Sequence, residues 1–208
     1  MNHEEESNLG RRELLKGGLK LGVAGGLAAL ALGVGKGGGQ VFAQATAPFK
    51  NDIDVLNYAL TLEYFEAELY STLIGLGKLQ GKDLQYVTLF GKQEADHVTA
   101  IKTTVEKLGG TPVSKGSYNF AAAGPLNDRT QILTVLATVE SVGVAAYLGA
   151  APFITNKDIL AAAASIMQVE GRHTSVIKGL VGQFPVPDAF GKSLTYDEVI
   201  AIVTPFFK

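Results

Sequence analysis

From residue 50 onward, apolar residues recur three and four positions apart in four long stretches, with turn-forming and polar residues between them. That spacing is the helical period. It predicts a first helix from about Asp52 to Gly75, with Asn51 or Asp52 placed to cap its start. A second helix runs from about Lys82 to Leu108 and is closed by Gly109 and Gly110. A third spans about Asp128 to Gly149 and a fourth about Asn156 to Gln183, where "TNKD" from Thr155 to Asp158 reads as a capping box with aspartate in place of glutamate. The links between them run short, long, short, and the long one, "TPVSKGSYNFAAAGPLND", has the length to cross a whole bundle. Short links make antiparallel neighbours and one long link makes a crossover, so the expected fold is an all-α four-helix bundle over about residues 52–183. After Phe184 an irregular linker, "PVPDAFGKS", leads to a short C-terminal helix over about 195–207, opened by a capping box of Thr195 and Glu198. Its apolar residues are expected to dock on the bundle, the alternative being a surface for a partner.

The first 45 residues follow a different pattern. A charged stretch with paired arginines gives way to a weakly apolar Gly/Ala/Leu run and then to small residues, the layout of a targeting segment. The run from Leu21 to Gly35 is shorter and richer in glycine than a membrane span of about 20 apolar residues. "RRELLK", Arg11 to Lys16, resembles the twin-arginine export signal, with Leu14 where phenylalanine is favoured. The resemblance implies passage through the twin-arginine export machinery, already folded and with any cofactor inserted, to the periplasm or the extracellular space. Cleavage after Ala43 or after Ala45 fits the small residues there, a retained N-terminal membrane anchor being the alternative. On this reading residues 1–45 are signal and linker, and 46–208 form one domain.

Composition narrows the chemistry. The whole chain carries a net charge of -2, which offers no basic field for nucleic acid. It has no cysteine, so disulfides, thiolate catalysis and cysteine-ligated iron centres are excluded, and any metal must be held by nitrogen and oxygen.

Three histidines occur in the chain, and the two beyond the signal-like segment each follow a glutamate by three residues: "EADH" gives Glu94 and His97, "VEGRH" gives Glu170 and His173. Positions three apart on a helix lie about 60° from each other, so each pair can reach one point. The remaining two helices each carry one acid within an apolar stripe. Glu63 interrupts Leu56, Leu60, Ala67, Tyr70 and Ile74; Glu140 interrupts Ile132, Leu136, Val144 and Tyr147. Taken singly, these are as readily surface acids and satisfied core histidines. Taken together they are a metal-ligand set, because four carboxylates facing one core would each cost about several kcal/mol in desolvation or take up protons. Two divalent cations balance four carboxylates, and the two imidazoles complete a set suited to hard, six-coordinate ions. The set also repeats internally: Glu63 to Glu140 is 77 residues, Glu94 to Glu170 and His97 to His173 are 76, and Tyr70 and Tyr147 each follow their glutamate by seven. Gln93, Asp96 and Arg172 adjoin ligands along the chain and point elsewhere, so solvated faces are expected for them; Glu66, one turn after Glu63, is either an additional ligand or a surface acid, the surface reading being favoured.

One glutamate, "ExxH", one glutamate, "ExxH" on four successive helices resembles the ferritin-like dimetal-carboxylate superfamily, over about Asp52 to Gln183 and at all six ligand positions. In its export signal and lack of cysteine the chain is similar to exported bacterial ferritin-like proteins of the desiccation-associated type. The resemblance implies that Glu94 and Glu170 bridge two metal ions, iron before manganese, that Glu63 and Glu140 hold one each, and that His97 and His173 each give a nitrogen. Tyr70 resembles the tyrosine near the ferritin oxidation site, which implies electron donation or a hydrogen bond to a ligand, against the reading of a plain core tyrosine.

The functional expectation is a dimetal oxidoreductase acting on dioxygen or peroxide, of ferroxidase, peroxidase or catalase type, in oxidative or desiccation stress. A homo-oligomer is compatible with it, while a rubrerythrin-type relay is not, for want of cysteine. Two other readings stand beside it. One is a non-enzymatic protein that binds metal for stability or sequestration; the other is an interaction module working through the C-terminal helix.

Overall fold

In the computed structural model, residues 49–186 and 188–208 are described; the twin-arginine segment and both candidate cleavage positions lie outside them. The described residues form five α-helices: α1 (Asp52–Gly75), α2 (Gly81–Lys107), α3 (Arg129–Ala150), α4 (Lys157–Leu180) and α5 (Tyr196–Val203). The expected all-α bundle is present, and each helix lies within three residues of its expected ends except where the C-terminal helix gives way to a 3-10 turn at Thr204–Phe206. Asn51, Asp128 and Thr195 cap α1, α3 and α5 through their side chains, the last in a full capping box. At α4 the cap is Asn156, whose Oδ1 accepts from Asp158 N at 2.8 Å. Thr155, expected in that role, instead turns to α1: Asp52 accepts from its amide at 2.8 Å and from the Asn156 amide at 2.9 Å.

The short links close two antiparallel hairpins, α1–α2 and α3–α4, which pack face to face. Contacts at the bundle ends fix their sense. Arg129 at the start of α3 donates to Asp83 at the start of α2 and to Leu180 O at the end of α4, the latter at 3.0 Å. Two helix starts and one helix end therefore meet, so α2 and α3 are parallel and the link over residues 108–128 crosses the bundle's full length.

Helices α1 and α3 form the centre and are apolar nearly all round. By length and composition Arg129–Phe153 could cross a membrane, yet it is largely buried among its neighbours, as a core helix is. One flank of the central pair packs on α5, whose Val199 and Val203 join Val55, Leu62, Val142 and Ala146. Burying each of these valines contributes about 1.5–3 kcal/mol. The chain entering α5 presses closely on α3, where Leu194 N donates to Ala145 O at 3.0 Å; a Cβ on Gly149 would lie 1.8 Å from Leu194 O, so only glycine serves there. The crossing link is tied down by the C-terminus, through a single antiparallel bridge between Tyr118 and Phe207 and an aromatic group of Phe65, Tyr118, Phe120 and Phe206. The C-terminal helix thus docks on the bundle, as its pattern predicts.

Candidate metal centre

All six predicted ligands converge at mid-bundle. Glu63 comes from α1, Glu94 and His97 from α2, Glu140 from α3, and Glu170 and His173 from α4. The four glutamates are fully buried. Their donor atoms form two groups, each with all atoms within 4.8 Å of one another: Glu63, Glu94, His97 and Glu170 in one, and Glu94, Glu140, Glu170 and His173 in the other. Glu94 and Glu170 belong to both.

The orientation of these groups is what a cation pair requires. His97 Nδ1 lies 3.2 Å from Glu63 Oε2, 3.0 Å from Glu94 Oε2 and 3.2 Å from Glu170 Oε1. One ring N–H cannot serve three acceptors, whereas one metal ion can gather a nitrogen lone pair and three carboxylate oxygens. His173 Nδ1 lies 2.9 Å from Glu94 Oε1 and 3.3 Å from Glu140 Oε2 with a hydrogen bond to neither. Glu94 Oε1, Glu140 Oε2 and both oxygens of Glu170 are buried without a hydrogen-bond partner. Buried polar atoms are ordinarily satisfied, so this many orphans aimed at one place mark a position for an ion. The donor set therefore fits a buried pair of metal ions.

Electrostatics agree. Burial, and then neighbouring carboxylates, push Glu140 and Glu170 above the ordinary carboxylate range, and burial drives Glu63 up to about 8. Glu94 goes the other way: burial raises it, but the His173 and His97 rings set against it outweigh this and hold it at about 2. His97, opposed by burial, is carried up to about 12 by Glu170, Glu63 and Glu94. The chain alone holds more negative charge here than two imidazoles can balance, a surplus that two divalent cations would offset.

A supporting shell surrounds the ligands. The Tyr70 hydroxyl on α1 donates to Glu140 Oε1 on α3, and the Tyr147 hydroxyl on α3 donates to Glu63 Oε1 on α1, so each tyrosine holds the other hairpin's glutamate. Tyr70 thus touches a candidate ligand. His173 Nε2 lies 2.7 Å from Gln93 Oε1 and its ring stacks on Phe90 at 4.1 Å. Donation from Nε2–H to the Gln93 carbonyl leaves the Nδ1 lone pair facing the carboxylates, the tautomer that a ligand needs.

Two expectations are overturned. Gln93 is half-buried and bonded to His173 rather than solvated, because α2 and α4 pack edge to edge there and its side chain reaches across. Glu66 is buried, 3% exposed, beside the cluster; α3 offers it a space at Gly143 that α1's own periodicity does not reveal. Asp96 and Arg172 are exposed as expected, with Asp96 paired to Lys92 at 2.8 Å. Tyr147 had a sequence signal in its repeat of the Glu63–Tyr70 spacing; its reach to Glu63 had none.

Comparison with known proteins places this arrangement. Among curated proteins no sequence matches. Among solved structures, a hypothetical protein of Methanococcus jannaschii DSM 2661 is similar at 19% identity and TM-score 0.57, covering 78% of this chain and 98% of its own. A conserved hypothetical protein of Mycobacterium tuberculosis is similar at 16% identity and TM-score 0.56, covering 67% of this chain and 96% of its own. At those identities the likeness is one of fold. The sequence model of the ferritin-like domain matches residues 51–183, the whole of α1 to α4, and with the bundle and its buried Glu/His cluster in place the chain belongs to the ferritin-like family.

Proposed function

We propose that the protein is an exported ferritin-like protein whose bundle holds a dinuclear centre of iron, or alternatively manganese, and that this centre reacts with dioxygen or peroxide. The observation that carries the reading is the pair of four-ligand groups sharing Glu94 and Glu170. Glu94 and Glu170 would hold both ions, Glu63 and His97 would complete the donor set of one, and Glu140 and His173 that of the other. A bound pair of redox-active ions supplies the two electrons that dioxygen or peroxide chemistry consumes. The chain contributes position and dryness. Tyr70 and Tyr147 orient Glu140 and Glu63, Gln93 fixes the His173 tautomer, and Tyr70, hydrogen-bonded to a ligand, is placed to pass on a proton and an electron. Access for a small apolar oxidant is supported by a cavity lined by Leu56, Ala59, Ile101 and Ile159 that reaches Tyr147, one hydrogen bond from Glu63.

Export in the folded state suits this chemistry, since the metal is then chosen where the chain folds. The test is metal content per chain by elemental mass spectrometry on protein exported by its native host, followed by peroxide addition to the same sample. Two ions of iron or manganese with peroxide consumed is the expected result. Two ions with no consumption of peroxide or dioxygen would leave a sequestering protein, and no metal with no uptake on reconstitution would overturn the centre itself.

A further inference from the structure

The two hairpins repeat every candidate ligand, but one buried acid of the first has no acidic counterpart in the second: 77 residues on from Glu66 stands Gly143. Tyr70 meets Glu140 and Tyr147 meets Glu63, so α1 and α3 run antiparallel past each other, and Glu66 and Gly143 fall midway between those contacts. They face each other across the pseudo-twofold axis, level with the metal-ligand groups. A Cβ built on Gly143 would lie 2.9 Å from Glu66 Oε1 and 3.5 Å from Glu170 Oε2. The missing side chain of α3 is thus the space that the Glu66 carboxyl fills, beside one of the two glutamates common to both groups. Glu66 Oε2 is buried and has no hydrogen-bond partner. The charges that act most strongly on it are carboxylates, Glu170 first and then Glu63, Glu94 and Glu140. An acid placed among acids, with an orphaned oxygen and a glycine opposite to admit it, has one evident counter-ion.

Resting on the dimetal reading above, we propose that Glu66 is a fifth carboxylate donor to the metal pair, admitted by Gly143, and that it makes the two ions inequivalent. The centre takes hard divalent cations with one more anionic oxygen than the six-ligand pattern supplies, on the α1–α3 face only. Two tight but unequal sites follow, because the twofold-related position opposite Glu66 has no side chain to match it.

The experiment is a titration of the apoprotein with Mn²⁺ against a competing chelator, comparing wild type, Glu66→Gln and Gly143→Ala. Glutamine keeps the shape of Glu66 and removes its charge; alanine keeps Glu66 and pushes its carboxyl aside, at the far end of a flexible side chain. Loss of a supporting group around a metal costs about 10–100-fold in affinity, and loss of a donor at least as much. In Glu66→Gln at least one of the two Mn²⁺ constants should therefore weaken tenfold or more, and in Gly143→Ala the same constant should weaken by less. Wild-type constants for both ions in a folded Glu66→Gln protein would overturn the assignment while leaving the dimetal centre standing. If that variant loses its helical circular dichroism, wild-type constants in Gly143→Ala do the same. Failure of the wild type itself to bind an Mn²⁺ pair would instead remove the underlying reading.

Discussion

The hairpins α1–α2 and α3–α4 carry one ligand pattern and surround it differently. His173 is 1% exposed, stacked on Phe90 and held by Gln93; His97 has a side chain 12% exposed, and the residues at the equivalent positions of α4 are Ile166 and Val169, which offer neither an aromatic face nor an acceptor. Glu66 of the first hairpin faces Gly143 of the second. The candidate ligands and the two tyrosines are what the halves share; Phe90, Gln93 and Glu66 are what distinguish them.

The comparison can be broken most severely at the shared carboxylates. Glu94→Ala or Glu170→Ala should reduce paired binding to at most one ion per chain, whereas Glu63→Ala or Glu140→Ala, which touch one group each, should leave the other ion in place. Elemental analysis of the four variants separates these outcomes; two ions retained without Glu94 would refute the shared role.

A second, intermediate effect concerns pH. Folded apoprotein holds the Glu63 proton up to about 8 against an ordinary 4.5, so that contribution to stability is complete below about 4.5 and is lost as pH rises through 8. His97, carried from 6.5 to about 12, adds a loss in the same direction, while Glu94, held at about 2, is fully ionised and constant across this range. The melting temperature of the metal-free protein should therefore fall between about pH 6 and pH 9. With Mn²⁺ or Fe²⁺ in excess it should hold or rise, because bound metal displaces those protons. Parallel curves with and without metal would argue against protons and metal ions sharing one site.

The smallest change sharpens the contrast between the histidines. Gln93→Val copies the environment of His97 onto His173 and should weaken one metal constant by about 10–100-fold, with the fold intact. An unchanged constant would mean that Phe90 alone holds the ring.

Much of this was legible in the chain. Helix spans, the crossover and all six candidate ligands follow from spacing, because the helical period brings residues three apart to one point and the glutamates on α1 and α3 break otherwise apolar stripes. Glu66 was legible only as one of two alternatives, and its burial was not. It is a charged residue one turn from a candidate ligand, and such residues on an amphipathic helix face water. Helix α1 is not amphipathic in place: α5 and the crossing link cover its second flank, and Gly143 opens room on its third neighbour. Gln93 misled for the same reason, since its partner lies 80 residues away.

By itself the sequence determined which residues could bind metal and on which helices they stand, since ligand type and helical phase are local properties of the chain. Tertiary structure decided which oxygens face which nitrogen, that each tyrosine serves the opposite hairpin, and that a glycine on one helix makes a place for a carboxylate on another. Those depend on register and close approach between helices, distances that periodicity along a single helix does not contain.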